Sequence, residues 1–415
     1  MKTSDITREQ YAAWLRIILL AACMLRVALI GYAAAHPFQF DFPDSHRYVR
    51  VARGIAAGAG PVESRETLAG TDPIYPALLS VGIRLGCVST PAVMDFGRAI
   101  NAVCGVVVVL LVAMLAARLF SRRVGLLAAA WCAVDPILLF FNALVLTELP
   151  YIAMLIGAMF AILQYQSSRR RIDIALAGVW LGFATLTRSS GLFLPLLLAI
   201  WLVAADRKRM PLRRSVTAAA IMLAAMLFVM TPAIYRNYRL FGAFVPVRTG
   251  GGASLMEALG PWADGAPGMD RIRYPKTPEG ANEVERDRIY RDAAVAWAKA
   301  HPGDVISLAW RKLARTWSIT INAAAFQSGF YALICWLSVA PIFLLAIIGI
   351  WRIRRQASIL CLLLMPAAYF TLVHMVFVGS VRYRLPATPF LFILAAIPLA
   401  GVLRRTDSEP HGAEA

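Results

Sequence analysis

The chain has 415 residues, of which 59% are hydrophobic and 16% charged, with 42 Lys and Arg against 24 Asp and Glu for a net charge of +18. An ordinary soluble domain is roughly 25% charged, so this composition excludes a string of soluble domains, and its high hydrophobicity excludes disorder. It leaves an all-α polytopic membrane protein, whose positive excess is either an anion-binding surface or a topology signal.

A bilayer core takes about 20 apolar residues per helix. Ten apolar runs are candidates, at 14–35, 98–119, 124–142, 146–166, 172–188, 189–205, 215–232, 330–351, 357–378 and 388–403, so about ten transmembrane helices are expected. The run 74–86 is too short to cross and lies in the interface or leads into the next span. The first run is long and holds Arg26, which reads as a retained span rather than a cleaved leader. The stretch 172–205 breaks at Arg188-Ser189-Ser190-Gly191 and reads as a tight helical hairpin.

The connections Arg118–Arg123, Arg169–Asp173, Asp206–Arg214 and Arg352–Arg355, with Lys2, Arg8, Arg16, Arg404 and Arg405 of the termini, hold 19 basic residues. The same segments hold only 7 acidic ones. Ten spans with the N-terminus inside put all of them on the cytoplasmic side, as the positive-inside rule requires. The expectation is a protein of the bacterial cytoplasmic (inner) membrane with both termini inside. Segments 36–97, 233–329 and 379–387 then face outward. Three regions follow: a core of 1–232 that includes the first external loop 36–73, a large external (periplasmic) loop of 233–329 with its own helices, and C-terminal helices with a short cytoplasmic tail over 330–415. The large loop carries 13 basic and 9 acidic residues, too balanced for a nucleic-acid surface.

Six cysteines form no CxxC pair and read as packing residues. No P-loop, HExxH, EF-hand or dinucleotide glycine pattern occurs. Ionisable residues inside spans are site candidates by default, and here they are Arg26, Asp135, Glu148, Arg188 and His374. All but Arg26 fall near the outer ends of their spans. A secondary transporter keeps its site near the midplane, so this distribution favours binding or chemistry at the outer rim. Each residue also has a plainer reading. Asp135 precedes Pro136 and satisfies backbone at a kink, Glu148 is an acid at a helix start, Arg188 snorkels to headgroups, His374 packs, and Arg26 pairs with a buried acid.

In the first external loop a helix begins at Asp44. Arg47, Arg50 and Arg53 form one face and Tyr48, Val51, Ala52 and Ile55 another, until Gly58 and Gly60 end it. This is a surface helix lying along the membrane. Asp44, beside Pro43 and Ser45, is either a cap or a catalytic carboxylate. The large loop opens on Tyr235-Arg236-Asn237-Tyr238-Arg239, then Arg248-Thr249-Gly250-Gly251-Gly252. The three glycines either expose N–H groups to a ligand or form a flexible loop. Two helices follow, near 281–300 and 304–317, and the second carries Arg311, Lys312 and Arg315 with Trp317 at its end.

The order of these motifs resembles a family. It runs Pro43-Asp44-Ser45-His46-Arg47-Tyr48, Tyr75-Pro76, Thr147-Glu148-Leu149-Pro150, Leu186-Thr187-Arg188, Thr231-Pro232 with Arg236-Asn237-Tyr238, Phe241-Gly242, Gly250-Gly251-Gly252, His301-Pro302 with Arg311, Lys312 and Trp317, and Arg382-Tyr383-Arg384-Leu385-Pro386. Over about residues 14–400 the chain is similar to GT-C glycosyltransferases of the protein-mannosyltransferase and lipid A aminoarabinose-transferase kind. The resemblance implies GT-C-like juxtamembrane helices, a polyprenyl-phosphate monosaccharide donor used on the outer face, and an Asp of the first external loop as base. Asp44 holds that position, followed by Ser45 where the commoner pattern has a second acid.

The chemistry then needs one carboxylate to take the acceptor proton and cations for the departing phosphate. A glycoside hydrolase, by contrast, usually needs two carboxylates. On this reading Asp44 is the base and Glu148 orients the acceptor or assists it. Arg188, Arg236, Arg382 and Arg384 receive the phosphate, and Tyr48, Asn237, Gly250, Gly251 and Gly252 line the substrate. A single displacement inverts the anomeric centre. No metal-ligand spacing occurs, and a divalent cation shared by Asp44 and Glu148 stays open. Partners are the donor lipid, membrane lipids and an acceptor that is a glycolipid, a protein or a cell-wall polymer. The alternatives are a transporter or flippase, or a polymerase or ligase, for lipid-linked glycans.

Overall fold

The computed structural model describes residues 6–406 apart from 65, 208 and 322–327. Lys2 and the tail beyond Thr406, both assigned above to the cytoplasmic side, lie outside the described residues. Among the described residues the regular elements are all helices. In order, α1 is Arg8–Ala35, α2 Pro43–Ala56, α3 Ile74–Arg84, α4 Thr90–Leu119, α5 Arg122–Val134, α6 Pro136–Ala143, α7 Glu148–Ser168 and α8 Arg171–Thr187. Then α9 is Leu194–Asp206, α10 Leu212–Phe241, α11 Gly251–Ala258, α12 Glu283–Ala300, α13 Pro302–Thr316, α14 Gly329–Arg352, α15 Ala357–Val376 and α16 Thr388–Thr406.

Among the described residues, eight helical segments are long and apolar enough to cross a membrane, and the bent pair of α5 and α6 makes up to nine. The ten apolar runs are all helical. The difference arises at α8, whose 17 residues reach about 26 Å at 1.5 Å per residue, short of a hydrocarbon core of about 30 Å. The bend of 52° between α5 and α6 has a local cause. Pro136 cannot continue the hydrogen-bond ladder of α5 but suits the first turn of a new helix. Asp135 caps that turn by accepting from the Leu138 amide at 2.8 Å. The break leaves polar groups in the bilayer interior, and Arg26 of α1 takes them up. It donates to Asn142 Oδ1 at 3.0 Å, to the Ala22 carbonyl at 3.0 Å and to the Ala133 carbonyl at 3.3 Å. Asp135 thus satisfies backbone at the kink, the plainer of its readings, whereas Arg26 meets an amide oxygen and carbonyls rather than a buried acid.

The core is a bundle in which α4 packs on α1, α5 and α7, α8 lies between α7 and α10, and α16 fits against α5 and α14. The α8–α10 approach depends on Gly178 and Gly182, since a Cβ at either would come within 2.1 Å of the Met222 carbonyl or 2.7 Å of Val229. Small residues four apart let membrane helices close up and gain dispersion contact. The basic turns gather at one end of the bundle. There Arg169 reaches the buried Asp206 at 2.7 Å and Arg118 reaches Ser167 at 2.8 Å. The opposite end carries α2, α3 and α11 to α13, and it builds the site.

Candidate active site

Four separate stretches of chain meet at that end. Pro43 sets the first turn of α2 and puts Asp44 beside its positive pole. The apolar face of α2, with Tyr48, Val51 and Ala52 buried, seats the helix on α3. Glu148 opens α7, Arg188 follows the last turn of α8, and Arg382 lies in the short 3₁₀ helix Val381–Ala387 that leads into α16.

Asp44 Oδ2 accepts from Arg382 Nη1 at 2.6 Å, and its Oδ1 accepts from Arg47 Nη2 at 2.9 Å. The Arg382 Nε donates to Glu148 Oε1, which also accepts from Arg188 Nη1 at 2.6 Å. Two carboxylates thus meet three guanidiniums, and one positive charge is left over. Glu148 is wholly buried, whereas the Asp44 side chain is 27% exposed. Buried charges are costly unless paired, and here each has a partner. Two polar atoms in the cluster, Glu148 Oε2 and Arg47 Nε, are buried without one. The Nη2 groups of Arg188 and Arg382 make no hydrogen bond among the described residues. Burial alone would push the Asp44 carboxyl up, but Arg382 and Arg47 outweigh it and hold the group below its ordinary range.

Aromatic rings fix the guanidiniums. Arg188 lies over the Tyr383 ring at 5.5 Å, and Tyr383 stacks on His374 with centroids 3.9 Å apart. Arg382 lies over Phe42 at 5.8 Å. His374 therefore buttresses Arg188 through Tyr383. Tyr48 is buried under α2, edge-on to Tyr75 at 5.5 Å, and burial followed by the Asp44 charge raises its phenol. Ser45 stands where the family resemblance has a second acid. It is buried and donates to the Val145 carbonyl at 3.2 Å, a place where a carboxylate would meet a like partial charge. Asp41 turns the other way, to His46 at 2.6 Å.

Several residues expected to touch substrate lie outside this cluster. Arg236 donates to the Leu68 carbonyl at 2.5 Å and the Pro61 carbonyl at 3.3 Å, tying α10 to the first loop. Asn237 is buried and donates to the carbonyls of Val245 and Val247 at 3.0 and 2.9 Å. Arg384 gives its guanidinium to the Thr316 and Ser318 carbonyls and covers Phe343 at 5.3 Å. Gly250 takes φ +96° at the head of α11, as a turn of that hand requires. Asp287 Oδ1 accepts from Gly252 N at 2.7 Å and from Ala253 N at 3.4 Å. Gly251 and Gly252 begin the helix, and a Cβ on Gly252 would fall 1.9 Å from the Asp287 carbonyl oxygen.

Other residues that were not among the expected site residues border the cluster. Arg47 stands three places after Asp44 on the same helix face, a spacing that marks an ion pair. Asp72 is held by Arg248 at 3.7 Å, and Arg248 also donates to Ser189 Oγ at 3.0 Å, beside Arg188. Burial raises the Asp72 carboxyl. Glu257 of α11 accepts from Gly268 N at 2.8 Å, and its carboxyl is raised by burial first and by the nearby Asp44 charge as well. No signal in the sequence joined Asp72 or Glu257 to Asp44. Among the described residues no group of three or more His, Cys, Asp or Glu is placed to hold a metal ion. Asp44 and Glu148 share the Arg382 guanidinium instead.

This arrangement defines a polytopic membrane protein with a carboxylate–guanidinium cluster at one surface. A family model described as dolichyl-phosphate-mannose-protein mannosyltransferase matches residues 73–235. A comparison with curated protein sequences finds no match. Among solved structures, the oligosaccharyltransferase of Archaeoglobus fulgidus in its apo form superposes with a TM-score of 0.62 at 13% identity, over 98% of this chain and 53% of its own. AglB of the same organism, in complex with an inhibitory peptide and a dolichol-phosphate, gives 0.58 at 14% over 98% and 52%. ArnT from Cupriavidus metallidurans bound to undecaprenyl phosphate gives 0.44 at 18% over 94% and 78%. The chain spans about half the length of the oligosaccharyltransferases it matches. It has their fold, the GT-C fold that the motif order implied.

Proposed function

We propose that the protein is a membrane glycosyltransferase that moves a monosaccharide from a polyprenyl-phosphate donor to an acceptor hydroxyl or amine at the outer surface of a bacterial cytoplasmic membrane. The observation that carries this reading is the Asp44 carboxylate. It is partly exposed and kept ionised, with Arg382 and Arg47 against it and Arg188 one carboxylate away. The clustering of the basic turns at the other end of the bundle supports the outward orientation. AglB, whose fold the chain shares, was solved with a dolichol-phosphate, and the matching family model names a dolichyl-phosphate sugar donor.

Asp44 takes the proton as the acceptor atom attacks the anomeric carbon. The bond from that carbon to the phosphate oxygen breaks, and the polyprenyl phosphate leaves with both bonding electrons. The free Nη2 groups of Arg188 and Arg382 meet the charge that develops there. One displacement inverts the anomeric centre. Glu148, wholly buried, is a positioning residue that holds both arginines, and Arg236, Asn237 and Arg384 serve the scaffold. Tyr48 supports Asp44 from beneath.

The test is transfer from polyprenyl-phosphate sugars by purified protein in liposomes. Asp44→Asn, folded by thermal unfolding, is expected to lose about 10²–10⁴-fold in rate while still binding the donor. Undiminished transfer by that variant removes Asp44 as the base.

A further inference from the structure

The end of the bundle opposite Asp44 holds a cavity that the transfer reaction does not use. Its volume is about 540 Å³, within the roughly 300–1,000 Å³ of small-molecule sites. It lies where the last turns of α4, α7 and α9 meet the first turn of α15. Two guanidiniums line it, Arg118 and Arg209. Arg118 is fixed in place. Its Nη2 donates to the Leu163 carbonyl at 2.9 Å and Ser167 Oγ at 2.8 Å, and its guanidinium lies 5.7 Å from the Phe160 ring. Its Nε and Nη1 stay uncommitted among the described residues. Arg209 makes no side-chain hydrogen bond or ion pair among them. Asp206 is the acid close by, and it is buried and already bound by Arg169 and Gln166. It leaves the charge of the cavity positive.

The rest of the wall is mixed, with Gln164, Gln166, Ser167 and Ser358 as its polar members and Leu119, Leu163 and Leu362 among its apolar ones. Trp201 donates its indole N–H to the Ser358 carbonyl at 2.8 Å and so ties α9 to α15 at the wall. A positive and polar mouth with leucines beside it, at the depth where the helices end, matches an amphiphile with a phosphate head. A soluble phosphate has no use for the apolar surface. We infer that this cavity binds the phosphate head of an anionic membrane lipid from the leaflet on the basic face, with part of its chains against the leucines. Basic pockets between membrane helices on that side suit lipid headgroups in general. The inference is independent of the proposed transfer reaction.

The full-length protein in detergent micelles is titrated with phosphatidylglycerol, phosphatidylcholine or inorganic phosphate and read by native mass spectrometry. One phosphatidylglycerol is expected to bind in preference to phosphatidylcholine and to resist a large excess of inorganic phosphate. Arg209→Glu, on an exposed side chain, is expected to weaken it by about tenfold. Arg355→Glu makes the same charge change on the same face outside the cavity, and it is expected to leave binding unchanged. Thermal unfolding of both variants checks the fold. Equal binding of phosphatidylcholine overturns the site, as does equal weakening by Arg355→Glu. Displacement by inorganic phosphate overturns the lipid as its source.

Discussion

Arg382 bonds Asp44 with one nitrogen and Glu148 with another. A single planar guanidinium therefore sets the position of the exposed carboxylate relative to the buried one. Only a fork of fixed geometry can do this, because a lysine offers a point charge on a flexible stem. Arg382→Lys is expected to keep the fold and to lower kcat/KM for transfer by about 10²-fold, the usual cost of one preorganised donor at a developing charge. A variant within a few-fold of the wild type removes the bridging role.

Glu148 is wholly buried and pairs with two arginines whose side chains are 9% and 12% exposed. Removing one member of a buried charge network leaves the others uncompensated and costs about 3–5 kcal/mol. Glu148→Gln is expected to lower the unfolding temperature markedly as well as to reduce transfer. A protein that loses activity with unchanged stability would instead make Glu148 a direct participant.

The Asp44 carboxyl is held below its ordinary range, so it stays ionised as the pH falls through about 4. Its contribution to folding, and its competence as a base, persist above the unfolded value and are lost only as the pH passes below the folded one. The acid limb of kcat/KM reports the free enzyme's base and is expected below the usual carboxylate range. Arg47→Gln removes one of the two guanidiniums bonded to Asp44 and is expected to shift that limb upward. An unshifted limb in this variant detaches it from Asp44.

Much of the fold was legible because the bilayer imposes a simple demand. Twenty apolar residues with charged ends specify a helix, and all ten runs are helical. The count blurred where proline split one run into α5 and α6 and where α8 fell short of the full thickness. The site was legible for residues near span ends whose charge has no cheap place in lipid. Glu148 and Arg188 were named on that ground, Asp44 from its place in the first external loop and Arg382 from the family resemblance, and the structure brings the four side chains together. Arg236, Arg384 and Asn237 carry the same chemical types at similar depths. What separates them is which backbone carbonyls the loops leave unpaired, and that depends on loop paths that sequence periodicity does not encode. The glycine triplet shows the same dependence, since Asp287 arrives from α12 to accept from the Gly252 amide.

The two kinds of arginine give opposite results when changed. Arg188 has a free Nη2 beside Asp44's cluster, while Arg236 spends its guanidinium on the Leu68 and Pro61 carbonyls. Arg188→Gln is expected to weaken polyprenyl-phosphate binding by about tenfold or more, the loss of one charge-assisted contact. Arg236→Gln removes the clamp on residues 61–68 without touching the cluster. It is expected to leave donor affinity within about threefold and to increase proteolysis of that loop. Donor affinity from a lipid-binding titration and cleavage rates from limited proteolysis separate the two effects. Equal losses of donor affinity in the two variants would return Arg236 to the phosphate site.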